Sequence, residues 1–238
     1  MSTGLQTRKK ESFKIFDQIA GTYDKLNKIL SCGIDIYWRK QLVKRIPKKM
    51  DLKALDLATG TADIPIVLSK EKNVKSVLGL DMSQGMISMG RQKIREKGLE
   101  NKVTLQIGDA CNLELEDDLF DLSTITFGIR NFPSAQSSLE EVYRVLAPNG
   151  KLMILEFGIP KFFFVRWVYL FYFRYLLPFV GNILSGHKDA YSYLNKTVED
   201  FPFGQEFTQM MKKAKFKNVR ATSLTFGICY LYEGEKVE

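Results

Sequence analysis

Between residues 54 and 157 the chain alternates short apolar runs of strand length with longer amphipathic runs of helix length, and this alternation limits the fold more than any other feature. Strand-like runs are expected at Ala54–Leu57, Ser76–Asp81, Val103–Ile107, Phe120–Phe127 and Lys151–Phe157. Helices are expected from Ile64 to Lys70, from a Ser83 cap to Lys97 with Gly98 closing it, and from Ala135 to Leu146 with Pro148-Asn149-Gly150 as the stop. Strands separated by helices pair in parallel, which predicts an α/β doubly wound, mostly parallel seven-stranded sheet. The last two strands are expected at Val219–Thr225 and Ile228–Tyr232, a hairpin turning at Phe226-Gly227, after a helix from Gln205 to Lys213.

A single domain over 1–238 is expected, with four parts. Residues 11–50 form an N-terminal helical cap, in which Phe13, Phe16, Ile19, Ala20 and Tyr23 recur at helical spacing. Residues 51–160 form the ligand-binding core, 161–204 a substrate-side helical insertion, and 205–238 the terminal helix and hairpin. The run Phe162–Leu184 is aromatic, but Arg166, Arg174 and Pro178 interrupt it short of the ~18 residues a spanning helix needs. The two arginines lie roughly 80° apart on a helix, giving one polar edge. Core, a lid over an apolar ligand and a surface-resting helix all fit that pattern.

Charge is uneven. Residues 1–50 hold 12 Lys/Arg and 4 Asp/Glu, residues 51–150 hold 11 and 15, and residues 151–238 hold 12 and 8. The basic flanks fit an anionic membrane surface, a nucleic acid or a merely solvated surface. Three scattered cysteines and one histidine argue against a disulfide framework or a structural zinc, and no metal is expected. The polar, basic start is unlike a secretory signal, so a cytoplasmic location is expected.

Ligands of open parallel sheets bind at the carboxyl ends of the strands. The first turn, Asp56-Leu57-Ala58-Thr59-Gly60-Thr61, brings Gly60, where a backbone can approach a ligand, to a helix N-terminus that can meet a carboxylate. Asp81 ends the second strand, 21 residues after Gly60, where an acid can accept from both ribose hydroxyls. Asp109, beside Ala110, ends the third and can accept from an adenine amino group. Thr126 ends the fourth, under the reacting centre. Acids at successive strand ends predict S-adenosyl-L-methionine and the class I methyltransferase fold. A nicotinamide dehydrogenase would show G-x-G-x-x-G at the first turn, and Gly60-Thr61-Ala62-Asp63-Ile64-Pro65 lacks it.

Phe16-Asp17-Gln18-Ile19-Ala20 with Tyr23-Asp24, then Trp38-Arg39, Phe127-Gly128-Ile129-Arg130-Asn131, Tyr143-Arg144-Val145-Leu146, Leu155-Glu156-Phe157 and Asp189-Ala190-Tyr191 resemble the ubiquinone/menaquinone biosynthesis C-methyltransferases. Ala62 and Lys215 depart from that pattern where it usually has glycine. Alanine at 62 is tolerable if its φ is negative. The resemblance implies Thr61, Asp81, Asp109, Ala110 and Thr126 as cofactor contacts. It implies methyl transfer to a carbon of a prenylated quinol, demethylmenaquinol first and a ubiquinone-pathway benzoquinol as the alternative.

For that chemistry a guanidinium about 4 Å from the developing oxyanion gains ~4 kcal/mol at an effective dielectric of ~20, enough to bring a phenol toward ionisation near neutrality. Arg130 is the candidate, with Asn131 as an orienting donor. A structural salt bridge is the competing reading of Arg130. Tyr23, Tyr191 and Tyr193 are candidates for packing on the ring. His187 is placed at the rim, and the general base is left open. A nucleic-acid methyltransferase would carry an N/D-P-P-aromatic loop after strand four, and Phe127–Pro133 has none, so no nucleic-acid partner is expected. From the lipid nature of the acceptor, the aromatic run Phe162–Phe179 is a candidate apolar tunnel or docking surface for the prenyl tail, and the basic flanks are a candidate peripheral contact with anionic lipid at the inner face of the membrane. Oligomeric state is left open.

Overall fold

A computed structural model describes residues 9, 11–31, 33–176 and 195–237. Two helices, α1 (Ser12–Leu30) and α2 (Ile34–Val43), precede β1 (Leu52–Leu57). Then come α3 (Asp63–Leu68), β2 (Val74–Asp81), α4 (Gln84–Glu96), β3 (Val103–Ile107), β4 (Phe120–Thr126), α5 (Ala135–Val145) and β5 (Leu146–Phe157). The chain continues through α6 (Phe163–Phe171), with a π-helical turn at Tyr172–Leu176, then α7 (Gln205–Lys213), β6 (Lys217–Leu224) and β7 (Cys229–Glu235).

The seven strands lie in the order β3-β2-β1-β4-β5-β7-β6. The first five pair in parallel, and β7 runs antiparallel to both β5 and β6. Side chains of a strand alternate between faces, so each strand feeds two cores. Along β5, Leu152 and Ile154 enter one core with Leu139 and Val142 of α5 and Phe207 and Met211 of α7. Met153 and Leu155 enter the other, with Trp38, Leu42, Ile64 and Ile87 from α2, α3 and α4. Chain order reverses between β1 and β4, and their carboxyl ends open there.

Most predicted elements stand within a residue or two. Ser83 caps α4 by accepting from the Met86 N–H at 3.1 Å. The largest differences occur where a residue between elements is held from outside. β5 begins at Leu146, not Lys151, because Leu146 pairs with Phe120 before residues 147–150 loop out and Lys151 rejoins opposite Leu122. The Asn149 N–H donates to Lys236 O, and the Lys236 N–H to Gly150 O, fixing that loop to the chain end. The hairpin turn spans Thr225–Ile228 rather than two residues, since Trp38 Nε1 donates to Thr225 Oγ1 at 2.8 Å and holds the corner.

Both glycine departures fall at left-handed backbone. Ala62 has φ 68°, so the condition of a negative φ is not met and the site carries strain of about 1 kcal/mol. Its methyl is buried beside α4, where a Cβ built on Gly90 would approach it to 3.3 Å. Lys215 has φ 73°. It closes α7 as a Schellman turn, with Phe216 N–H donating to Met211 O and Lys215 N–H to Lys212 O. Gly98 makes the same turn after α4 without a Cβ to strain. Lys215→Gly should raise the free energy of unfolding by about 0.5–1 kcal/mol, seen as a higher urea midpoint at unchanged slope. An unchanged midpoint would show that the left-handed lysine is not strained.

Candidate active site

At the first turn, the Asp56 side chain ends in a buried carboxyl that cannot reach water. Its Oδ1 accepts from Thr124 Oγ1 of β4 at 2.6 Å and its Oδ2 from Thr59 Oγ1 of the turn at 2.7 Å. Burial pushes its pKa up to about 7. The turn then passes through Gly60 at φ 53°, a conformation glycine adopts without strain. A Cβ built on Gly60 would meet nothing within 4 Å, so the backbone there faces open space. Its N–H donates to Asp81 Oδ2 at 2.8 Å, while Asp81 Oδ1 accepts from the Ser83 N–H at 2.9 Å. Burial raises the Asp81 carboxyl above its ordinary range against those bonds. Each carboxylate oxygen still has a lone pair for a further donor.

These groups open on one cavity, with about 670 Å³ of empty space including its mouth. Gly60, Asp81, Asp109, Ala110 and Thr126, predicted for the cofactor, line it. Asn131 and Tyr23, predicted for the acceptor, line it too. Thr61 and Arg130 do not. The Thr61 hydroxyl donates to Asp24 Oδ1 and accepts from Lys93 Nζ. His187, Tyr191 and Tyr193 lie outside the described residues.

The cap closes one side through two carboxylates whose roles the sequence pattern did not reveal. Asp17 Oδ1 accepts from Ser83 Oγ at 2.6 Å and from the Gly85 N–H at 2.8 Å, placing a carboxylate at the N-terminus of α4. Asp24 reaches Thr61 and pairs with Lys93 at 2.5 Å, and Lys93 also pairs with Asp63 at 3.0 Å. So pinned, α1 contributes Ser12, Phe13, Phe16 and Tyr23 to the cavity wall. Met82, Phe127 and Phe132 also line it. Their only sequence signal was adjacency to the strand ends.

Arg130 sits in the 3₁₀ turn Ile129–Asn131 after β4, and its side chain is 6 % exposed. Its Nη1 donates to Glu156 Oε1 at 2.8 Å and to the Phe127 carbonyl, and its guanidinium lies 5.2 Å from the Phe157 ring centre. Glu156, 1 % exposed, also accepts from the backbone N–H of Phe157 and of Arg130. Three buried polar atoms in this region have no partner among the described residues: Thr126 Oγ1, Arg130 Nε and Asn131 Oδ1. Burying polar atoms unpaired costs free energy; of the three, Thr126 and Asn131 belong to the cavity lining, where a ligand's polar groups can reach them.

The pattern of the ubiE/COQ5 methyltransferase family matches residues 4–236. The chain belongs to that family. It is 38% identical over 223 residues to a demethylmenaquinone methyltransferase of Bacteroides fragilis, covering 94% of this chain and 91% of that one. It is 39% identical over 232 residues to a ubiquinone/menaquinone biosynthesis C-methyltransferase of Geotalea daltonii, covering 97% and 98%. In fold it resembles a SAM-dependent methyltransferase of Aquifex aeolicus, with TM-score 0.61 at 19% identity over 84% of this chain and 89% of that one. This member of the ubiE/COQ5 family is therefore an S-adenosylmethionine-dependent methyltransferase with the class I fold. The cavity fits that cofactor: it offers acids to hydroxyls and an amine, an open glycine backbone, apolar walls at Met82 and Ala110, and an unpaired hydroxyl at Thr126.

Two measurements probe this site. Asp81→Ala should weaken S-adenosylmethionine binding at least about tenfold by calorimetry, the worth of hydrogen bonds to a charged group. Equal affinity would remove Asp81 from the site. The raised Asp56 pKa also has a sign. The folded state keeps a proton that the unfolded chain releases near pH ~4, so this contribution to stability falls as pH rises from ~4 to ~7. Asparagine cannot ionise, so Asp56→Asn should gain on the parent protein as pH rises from about 4 to about 7 in urea titrations, with no further gain above that. A pH-independent difference would contradict the buried titration.

Proposed function

We propose that the protein transfers the methyl group of S-adenosylmethionine to a ring carbon of a prenylated quinol, demethylmenaquinol, giving menaquinol. The observation that carries the reading is the pairing of unsatisfied Asn131 Oδ1 and Thr126 Oγ1 with an aromatic wall of Phe16, Tyr23 and Phe127 in one cavity. A ring with a hydroxyl donor fits both surfaces. The relatives' names support the naphthoquinol, and a benzoquinol is the alternative acceptor.

The cofactor supplies an electrophilic methyl on a sulfonium. Gly60, Asp81, Asp109 and Ala110 hold it, with Thr126 at the reacting end, while Thr61 acts indirectly by fixing the turn to the cap. Asn131, expected as an orienting donor, has the acceptor Oδ1 as its unpaired atom; that oxygen accepts from the quinol hydroxyl that stays protonated and so orients the ring. Loss of the proton from the other hydroxyl makes the ring carbon nucleophilic; as that carbon gains the methyl it gives up its own hydrogen as a proton, and the hydroxyl is reprotonated, with S-adenosylhomocysteine as the other product. Arg130, charge-balanced by Glu156, keeps positive potential behind the developing oxyanion and acts as a positioning residue. The compensation by Glu156 makes its effect smaller than that of a free guanidinium. Tyr23 packs on the ring, and its raised pKa, set by burial, keeps its hydroxyl neutral. In this reading residues 11–50 cap the site, 51–160 hold the cofactor, the described parts of 161–204 lie on the acceptor side, and 205–237 complete the sheet.

Turnover of soluble short-tail naphthoquinol and benzoquinol acceptors, each lacking the ring methyl, beside a nucleic-acid substrate, tests the reading. Methylation of the naphthoquinol is expected, and transfer only to nucleic acid would overturn it. Asn131→Leu should lower kcat about tenfold, the worth of the hydrogen bond that orients the ring, with cofactor affinity unchanged. Arg130→Ala should lower kcat and move its pH profile upward, since the quinol then ionises at higher pH. Full turnover at neutral pH in Arg130→Ala would remove it from the mechanism.

A further inference from the structure

α6 presents two unlike faces. Tyr169 and the following Phe173 are buried against Ile19 of α1 and Val198, with Tyr23 and Phe157 packed on the same cluster. Phe157 is the ring that carries the Arg130 guanidinium and Tyr23 lines the cavity, so the inner face of α6 packs behind the cavity wall. The outer face holds Phe163, Phe164, Trp167, Val168 and Phe171, all exposed, with Phe163 at 83% and Trp167 at 61%. At 100° per residue these five fall within an arc of about 140°. Trp167, Phe171 and Tyr175 form a ladder, with ring centres 6.1 and 5.5 Å apart. A continuous aromatic face of this size is uncommon on a surface meant for water.

We propose that the outer face of α6 docks the protein on an anionic lipid bilayer, lying in the headgroup region with its inner face toward the acceptor cavity. The inference deepens the quinol reading and rests on it for the lipid nature of the acceptor. Aromatic side chains beside arginines are the composition of helices that rest at membrane interfaces. Residues 161–176 include Lys161, Arg166 and Arg174 and no Asp or Glu. Arg174 is paired with Glu199 at 2.7 Å, while the Lys161 and Arg166 side chains are exposed. The first 50 residues, whose α1 packs on α6, carry a balance of +8 from 12 basic and 4 acidic side chains. No helix among the described residues is long and apolar enough to cross a membrane, so contact through this helix is along the surface. A lipid-tailed quinol would then reach the cavity beside the helix without its tail crossing bulk water.

The two tryptophans make the test direct. Trp38 is buried and hydrogen-bonded to Thr225, so a change in emission on adding vesicles reports Trp167. The full-length protein, titrated with phosphatidylglycerol-containing vesicles, should show a blue shift and quenching by brominated acyl chains. Its affinity for phosphatidylcholine-only vesicles should be at least about tenfold weaker, as expected when basic residues add to apolar insertion. Phe163→Ser/Trp167→Ser/Phe171→Ser, all at exposed positions, should lose vesicle flotation and turnover of a long-tail acceptor embedded in vesicles. It should keep cofactor affinity and turnover of a soluble short-tail quinol. No shift, equal binding to both vesicle types, or a Trp167 already buried in a dimer before lipid is added would overturn the proposal. Failure of both proteins on the short-tail quinol would instead overturn the acceptor reading, because that assay contains no lipid.

Discussion

The site depends on one buried carboxyl. Asp56 lies where β1 runs out, and its two oxygens are held by hydroxyls from different places, Thr59 in the following turn and Thr124 in the neighbouring strand. This fixes the turn against β4, and the turn in turn places the Gly60 N–H on Asp81 at the end of β2. Three strand ends are thus tied through two acids before any ligand arrives. The cost is a carboxyl held away from water, visible as a pKa near 7. Chain order reverses between β1 and β4, so no crossover covers the opening there.

The cap repeats the device at its edge. Asp17 serves the N-terminus of α4, and Asp24 serves Thr61 and Lys93. Each is a charged group satisfied by a fixed donor, worth more than a neutral bond and sensitive to geometry. α1 therefore sits in a definite register over the cavity, and its aromatic residues become a wall for a ring rather than a general apolar cover. The opposite side is set by Glu156, which collects Arg130 and two backbone N–H groups around one buried carboxylate.

Much of this was legible in the sequence. The strand-helix alternation foretold the sheet, and β3 and α7 fall where periodicity places them, because their caps and breakers are local: Gly98 before β3 and Gly204 before α7. Gly60, Asp81, Asp109, Ala110, Thr126 and Asn131 could be expected on one cavity because strand ends are predictable in a parallel sheet, and Tyr23, which lines it too, comes from the N-terminal helix. The start of β5 and the hairpin corner were not legible, since partners distant in sequence set them: Phe120 pairs with Leu146, Lys236 fixes the loop that follows, and Trp38 holds the corner. Arg130 was visible as a cation beside β4, but its partner Glu156 lies 26 residues further on and had no pattern to link them. Ala62 and Lys215 stood out as departures from glycine, and only backbone angles showed that both carry positive φ.

The proposed reading requires that a ring carbon, not an oxygen, receives the methyl group in the cavity lined by Gly60, Asp81 and Asn131. The most direct measurement is the position of an isotopically labelled methyl group, delivered from S-adenosylmethionine to short-tail demethylmenaquinol and located by NMR. The account predicts label on a ring carbon, with the chemical shift of an aryl methyl. Label on oxygen, or transfer that persists unchanged in Asn131→Leu, would contradict it.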